Sequence, residues 1–301
     1  MTTCFDIGGS YLRFGRRLAD GTVPELGRVP TPKADWDAFV SAIQSAAPDA
    51  GPISISLAGA FDAISGIADV ANIPCLHGRK VASDLAKAIG RPVQVTNDAD
   101  CFAIAEARLG TGVDKPVVFG LILGTGVGGG LVINNHLVPG YGGISGEWGH
   151  GPMVDPTAGG TINGIDPIKC GCGRTGCVDA YGSARGMEKI HFMLHGEDIS
   201  SLEVTGRWRD KDPNAAKTID AYTTLLSRPL SAIINTLGPY IVPVSGGLSS
   251  DAELLAEIDR KTRARTLARY DYPLVVRGTH AANGGLVGAG LIAQDATMEA
   301  A

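Results

Sequence analysis

The chain has 301 residues, 44% of them apolar and 19% charged, with 26 basic and 31 acidic side chains giving a net charge of −5. That length accommodates about two domains of roughly 150 residues, and the composition is globular rather than disordered. A negative balance without a Lys/Arg-rich run argues against nucleic acid as the partner, and no basic-then-apolar leader opens the sequence, so a cytoplasmic protein is expected.

In chain order, Thr3–Ile7 reads as a strand, Gly8-Gly9-Ser10 as a tight turn and Tyr11–Gly15 as the returning strand. Asp6 stands at the strand end beside the glycines. There it either caps the turn or holds a hydrated divalent cation against phosphate oxygens, which glycine lets approach the backbone. Asp35–Ala46 has helical spacing, with Trp36, Phe39, Val40 and Ile43 on one face. Ile53–Leu57 is a strand, Val81–Ile89 a helix and Pro92–Thr96 a further strand. That strand runs through Asn97-Asp98-Ala99-Asp100 into a helix over Cys101–Leu109. Asn97 and Asp98 are good helix caps, and they also place a carboxylate at the mouth of a sheet, where α/β proteins bind ligands.

Pro116–Leu123, Gly124-Thr125-Gly126 and Gly128–Ile133 repeat the early strand, glycine turn and strand. Six glycines between Val117 and Ile133 mark this apolar run as a hairpin rather than a membrane span. Two such hairpins predict a duplicated fold that clamps a nucleotide. Neither GxxxxGK[ST] nor a helix after GxGxxG is present. A loop over Pro139–Gly146 leads to Glu147-Trp148-Gly149-His150, and Cys170, Cys172 and Cys177 follow. Three clustered cysteines in a chain of this size favour a metal over disulfides, with His150 as fourth ligand of a closed tetrahedral zinc site. Cys4, Cys75 and Cys101 read as buried thiols. Tyr181–Leu194 is helical, Pro213–Leu237 a long helix broken near Pro229, and Pro239–Val244 a strand ending at Ser245-Gly246-Gly247. Asp251–Ala264, Pro273–Val276 and Asn283–Ala293 complete the pattern as helix, strand and a small-residue-rich helix.

Five stretches taken together resemble the ROK family of bacterial sugar kinases. They are Asp6-Ile7-Gly8-Gly9-Ser10 with Arg13, Thr96-Asn97-Asp98-Ala99, Leu123-Gly124-Thr125-Gly126 with Gly128-Gly129-Gly130, Glu147 with Gly149-His150, and the cysteine loop. The resemblance spans nearly the whole chain. It implies a two-domain α/β fold of the actin/hexokinase-like (ribonuclease H-like) type with an interdomain cleft. The smaller domain would take residues 1–112 plus the last helix (about 283–301), and the larger one 113–282. It further implies ATP-dependent phosphorylation of a hexose or N-acetylhexosamine, usually at C6. Asp98 would be the base, and Gly59, Asn72, Asn97, Asp98, Glu147, His150 and Asp179 would bind the sugar. Asp6, Gly8, Gly9, Ser10, Arg13, Thr125, Gly126, Gly246 and Gly247 would hold ATP and Mg²⁺. His150, Cys170, Cys172 and Cys177 would hold structural Zn²⁺, and a homodimer with neither nucleic-acid nor membrane partner is implied.

The chain departs from the pattern twice. Asp179 stands where the family usually has Glu, a reach shorter by roughly 1.5 Å, which opens the sugar's identity. The stretch from His150 to Cys170 is also longer than usual, and could cover the pocket or serve a subunit interface. The main alternative is a non-catalytic sugar-binding regulator. The family's repressors carry an N-terminal helix-turn-helix domain for which the phosphate hairpin at Asp6 leaves no room, and the presence of Asp98 and both turns speaks against catalytic silence.

Overall fold

The computed structural model describes residues 2–61, 64–70 and 72–299, and it builds one strand order twice. In the first half, β1 (Thr3–Ile7), β2 (Tyr11–Arg16), β3 (Glu25–Pro30) and β4 (Ile53–Leu57) precede a two-residue pair, β5 (Ala60–Phe61) and β6 (Ala68–Asp69), and β7 (Val93–Asn97). In the second half, β8 (Val117–Leu123), β9 (Val127–Ile133) and β10 (His136–Leu137) are followed much later by β11 (Val242–Ser245) and β12 (Val275–Arg277). The sheets run β3-β2-β1-β4-β7 and β10-β9-β8-β11-β12. Each is an antiparallel meander on one side and parallel on the other. The duplicated, two-sheet α/β architecture expected from the twin hairpins is therefore present.

Helix α1 (Trp36–Ala46) starts at Asp35, whose carboxylate accepts from the N–H groups of Asp37 and Ala38. It buries Phe39, Val40 and Ile43, and with α2 (Val81–Ile89) joins the first core around Phe5, Ile55 and Leu57. The second core collects Phe119, Leu121, Tyr181 and Tyr222 under α4 (Val178–Gly182), α5 (Ala184–His195), α6 (Ser201–Arg209), α7 (Pro213–Leu237) and α8 (Ala252–Arg263). Two helices lie between the halves. α3 (Asp98–Leu109) packs on β8 and β9, and α9 (Gly284–Glu299) packs on α3, β1 and β4. Glycines permit this: a Cβ on Gly120 or Gly130 would sit 2.9 or 2.7 Å from the α3 backbone, and one on Gly288 only 1.9 Å from the Cys101 carbonyl oxygen.

The structure adds an edge strand and the packing of one long loop, and it corrects two expected helices. The edge strand Glu25–Pro30 is invisible as a pattern because all its residues are exposed or half-buried and its sequence lacks a regular apolar alternation. The helix expected over Tyr181–Leu194 is two helices, divided at Ser183, where the backbone turns extended and the hydroxyl accepts the Gly186 N–H. Pro229 does not break α7, which runs unbroken from Pro213 to Leu237. Its buried face, Leu225, Leu226, Pro229 and Leu230 included, holds it in the core. The long stretch between His150 and Cys170 buries Val154, Ala158, Ile165 and Ile168 in the second core, and the Ile168 N–H donates to the Tyr181 hydroxyl.

Candidate active site and metal centre

The row of residues across the first sheet arranges the centre. Register sets Asp6 opposite Arg13 on β2 and opposite Ser56 on β4. Arg13 accordingly forms an ion pair with Asp6 Oδ2, while the Ser56 hydroxyl donates to Asp6 Oδ1 over 3.2 Å. The other arm of Arg13 donates to the Ala282 carbonyl at 2.6 Å.

One strand further along, β7 ends in Asn97 and α3 begins at Asp98. Asn97 caps the helix, its Oδ1 accepting from Ala99 N–H at 2.8 Å and Asp100 N–H at 3.3 Å. Its Nδ2 donates to the Gly59 carbonyl at 2.8 Å, so the amide also ties down the neighbouring loop. The cap and the ligand-site readings of this pair are thus not exclusive. The cap aims the helix, and Asp98 at its first turn borders a cavity. Asp98 keeps some surface toward that cavity yet lies deep. Burial first, then the charge of Asp6, push its carboxyl up to about 7 against the Ala99 N–H, and Glu147 adds to the rise.

The cavity, of about 380 Å³, opens between the two halves. Asp6 and Arg13 line one wall, Asp98 and Phe102 another, and Gly246-Gly247 with Ala282 a third. It thus unites the expected base, the expected cation-binding acid and the glycine pair after β11. Gly246 has φ +89°, and a Cβ there would lie 2.4 Å from the Leu123 carbonyl oxygen. Gly124 meets the same turn, since a Cβ on it would stand 3.6 Å from Gly246 Cα. The glycine turn of the second hairpin and the glycine pair therefore touch. In the first hairpin the Gly8 N–H donates to the Tyr11 carbonyl at 3.0 Å. Gly9 packs against Asn72, 3.2 Å from its Cβ were a side chain added, so Asn72 borders the glycine turn of the first hairpin. Ser10 and Thr125 are exposed at the two turn tips.

Glu147 and His150 occupy the loop after β10. Trp148, buried between them, donates its indole N–H to the Gly128 carbonyl at 3.1 Å, and the His150 N–H donates to the Glu147 carbonyl at 3.1 Å. Burial raises the Glu147 carboxyl, Asp179 adds to the rise and His150 opposes it. Neither Glu147 nor His150 lines the 380 Å³ cavity.

The ligand atoms of His150, Cys170, Cys172 and Cys177 all lie within 4.8 Å of one another. Cys170 Sγ is 3.7 Å from His150 Nδ1 and Cys172 Sγ is 3.6 Å from Cys177 Sγ. Zn–S bonds of about 2.3 Å at tetrahedral angles require S···S edges of about 3.8 Å, so these residues fit zinc. The backbone N–H of Arg174 lowers the Cys172 thiol, as a thiolate ligand requires. Cys4 and Cys101 are buried and Cys75 half-buried, all three free.

Some site residues carry no obvious signal. The start of α9 reaches the cavity through Gly284 and Gly285, and a Cβ on Gly285 would lie 2.4 Å from Asp6 Oδ1. The glycines at 284, 285 and 288 were the available hint. Asp100, 6% exposed, has no hydrogen-bond partner for Oδ1 among the described residues. Its carboxyl is pushed up to about 8 by burial, then Glu147, then Asp98. It reads from sequence only as a first-turn acid.

Comparison with known proteins agrees with this geometry. Residues 2–296 match the ROK family. The chain is 33% identical over 297 residues to an N-acetyl-D-glucosamine kinase of Pectobacterium atrosepticum, covering 96% of this chain and 97% of that one. A ROK hexokinase from Thermus thermophilus superposes with a TM-score of 0.84 at 25% identity, covering 99% of both chains. A ROK family glucokinase from Streptomyces griseus in complex with glucose and AMPPNP gives 0.77 at 26% identity over 98% of this chain and 99% of that one. With a family match over nearly its full length, twin sheets of identical strand order and a carboxylate-lined cavity between them, the chain belongs to the ROK family.

Proposed function

We propose that this protein transfers the γ-phosphoryl group of ATP to the 6-hydroxyl of an N-acetylhexosamine, N-acetyl-D-glucosamine before others, with Asp98 as general base. The observation that carries the reading is Asp98 opening onto the same cavity as the Asp6–Arg13 pair and the Gly246-Gly247 turn. Sugar phosphotransfer is the activity named for relatives across the full chain length, and the N-acetylglucosamine acceptor rests on the relative at 33% identity.

The chemistry needs positioning and charge neutralisation more than covalent help. Asp98 accepts the hydroxyl proton, the sugar oxygen bonds to the γ-phosphorus, and the bond to the ADP oxygen breaks. A carboxyl held at about 7 is a stronger base than an ordinary aspartate and still substantially ionised at neutral pH. Gly8, Gly9, Ser10, Thr125 and Gly126 surround the phosphates, Arg13 faces them, and Gly246-Gly247 border the adenosine. Asp6, within reach of Arg13 and Ser56, would hold Mg²⁺, which would supply charge neutralisation to the transferring phosphate. Gly59, Asn72, Asn97, Glu147 and His150 border the sugar, whose paired hydroxyls suit amide, carboxylate and imidazole partners. Four protein ligands leave zinc no open position, so the Cys₃His set is structural and shapes the pocket through His150. Halves divided near Gly112, with α9 joined to the first, close over the substrates and exclude water. The same proposal makes the protein a cytoplasmic homodimer without nucleic-acid or membrane partners.

The test is ADP release with glucose, mannose, allose, fructose, N-acetylglucosamine and N-acetylmannosamine offered singly. N-acetylglucosamine is expected to give the highest kcat/KM. Hydrolysis of ATP that none of these sugars stimulates would remove the kinase reading.

A further inference from the structure

The short acid after the cysteine loop has partners of its own. Asp179 is the second residue of α4, two past Cys177. Its Oδ1 accepts the backbone N–H of Val127 at 2.8 Å, at the end of the Gly124-Thr125-Gly126 turn. Its Oδ2 lies 3.7 Å from Cys170 Sγ, and its own N–H donates to the Gly149 carbonyl at 2.9 Å, beside His150. The other end of the turn is held from the same segment, since the Ala184 N–H donates to the Gly124 carbonyl at 2.8 Å. Residues 177–184 therefore bracket the turn, gripping Gly124 on one side and Val127 on the other.

The spacing suits the length of aspartate. Gly126 lies so close that a Cβ on it would stand 2.9 Å from Asp179 Oδ1. A glutamate would carry its carboxylate about 1.5 Å further, into Gly126 or past the Val127 N–H. A hydrogen bond to a charged acceptor is among the stronger ones a fold makes.

We infer that Asp179 is a positioning residue that ties the Cys₃His loop to the nucleotide-phosphate turn, rather than an acceptor for sugar hydroxyls. The inference rests on the phosphotransferase reading and reassigns one residue within it. The metal loop then shapes the ATP half of the site through Asp179 as well as the sugar half through His150.

The experiment uses the full-length, zinc-loaded protein, with ADP binding measured by calorimetry in the absence of sugar, alongside separate KM values for ATP and sugar. Asp179→Ala and Asp179→Glu are expected to weaken ADP binding and raise KM for ATP about tenfold, with sugar KM changed less than about twofold. Asp179→Asn keeps an oxygen acceptor of the same length and is expected to hold ADP within about threefold of wild type. Zinc content should equal wild type in all three variants, because Asp179 supplies no ligand. A tenfold rise in sugar KM with unchanged ADP affinity would overturn the inference and restore a sugar contact. So would Asp179→Asn behaving like Asp179→Ala, or ADP affinity falling only together with zinc. If the wild-type protein itself bound no ADP, the phosphotransferase reading beneath the inference would fall with it.

Discussion

Replacing Asp98 by Asn keeps the shape of the first turn of α3 and removes the proton acceptor. The Asp98 carboxyl sits at about 7, about three pH units above an ordinary aspartate. At about 1.4 kcal/mol per unit, ionising it in the fold costs up to about 4 kcal/mol more than in water. Because Asp98 still meets the open cavity, solvent makes that figure an upper bound. Two effects of opposite sign follow. Loss of a general base lowers kcat by about 10²- to 10⁴-fold, with sugar KM changed only a few-fold. Stability moves the other way. The folded form holds its proton above the ordinary carboxylate range, so wild type loses stability as pH rises from about 4 through about 7, and the amide does not. The Asn variant should therefore match wild type near pH 4 and exceed it at pH 8, by at most about 4 kcal/mol. Coupled ADP release gives the first quantity, and urea unfolding at both pH values the second. More than a few percent of wild-type kcat in the variant would refute the base assignment. A stability gap independent of pH would refute the buried-charge argument.

Three further outcomes are expected. Asp100→Asn removes a carboxyl that burial, Glu147 and Asp98 push up to about 8, so at pH 6.5 the variant should keep kcat within about threefold. The acid limb of its kcat/KM profile should move downward if at all, and a hundredfold loss would show that the ionised form of Asp100 is needed. Cys172→Ser, or prolonged chelation, should lower zinc below half an equivalent per chain and depress the melting temperature. A fully active, zinc-free protein would contradict the Cys₃His assignment. Gly288→Ala places a methyl 1.9 Å from the Cys101 carbonyl oxygen, so α9 must move off α3. The cost should be about 3 kcal/mol or more, read by urea unfolding, and an unchanged midpoint would mean that the two helices are not packed as described.

Much of this site is written in short stretches because its chemistry is local. The Gly8-Gly9-Ser10 and Gly124-Thr125-Gly126 turns follow from glycine between apolar runs, and Asn97 is a cap whose partners are its own next residues. Cys170, Cys172 and Cys177 lie within eight positions, so the loop that carries them cannot separate them far, and His150 joined them as expected. The edge strand Glu25–Pro30, by contrast, has no buried alternation to read. The extended backbone at Ser183 interrupts a helical pattern that its neighbours would otherwise continue.

What the sequence by itself determined is the repertoire: two glycine hairpins, a capped carboxylate, a metal-binding loop and the family these resemble. Tertiary structure alone decided which of these groups meet. Asp6 pairs with Arg13 because strand register sets them opposite. The carboxyls of Asp98 and Asp100 rise because the packing around the start of α3 buries them, with Asp6 adding to the rise of the first and Glu147 to that of the second. Gly285 reaches Asp6 across almost the whole chain because it has no side chain to obstruct, and Asp179 finds the Val127 N–H 52 residues away. Such contacts depend on distances through space between residues remote along the chain, and local propensity carries no information about those distances.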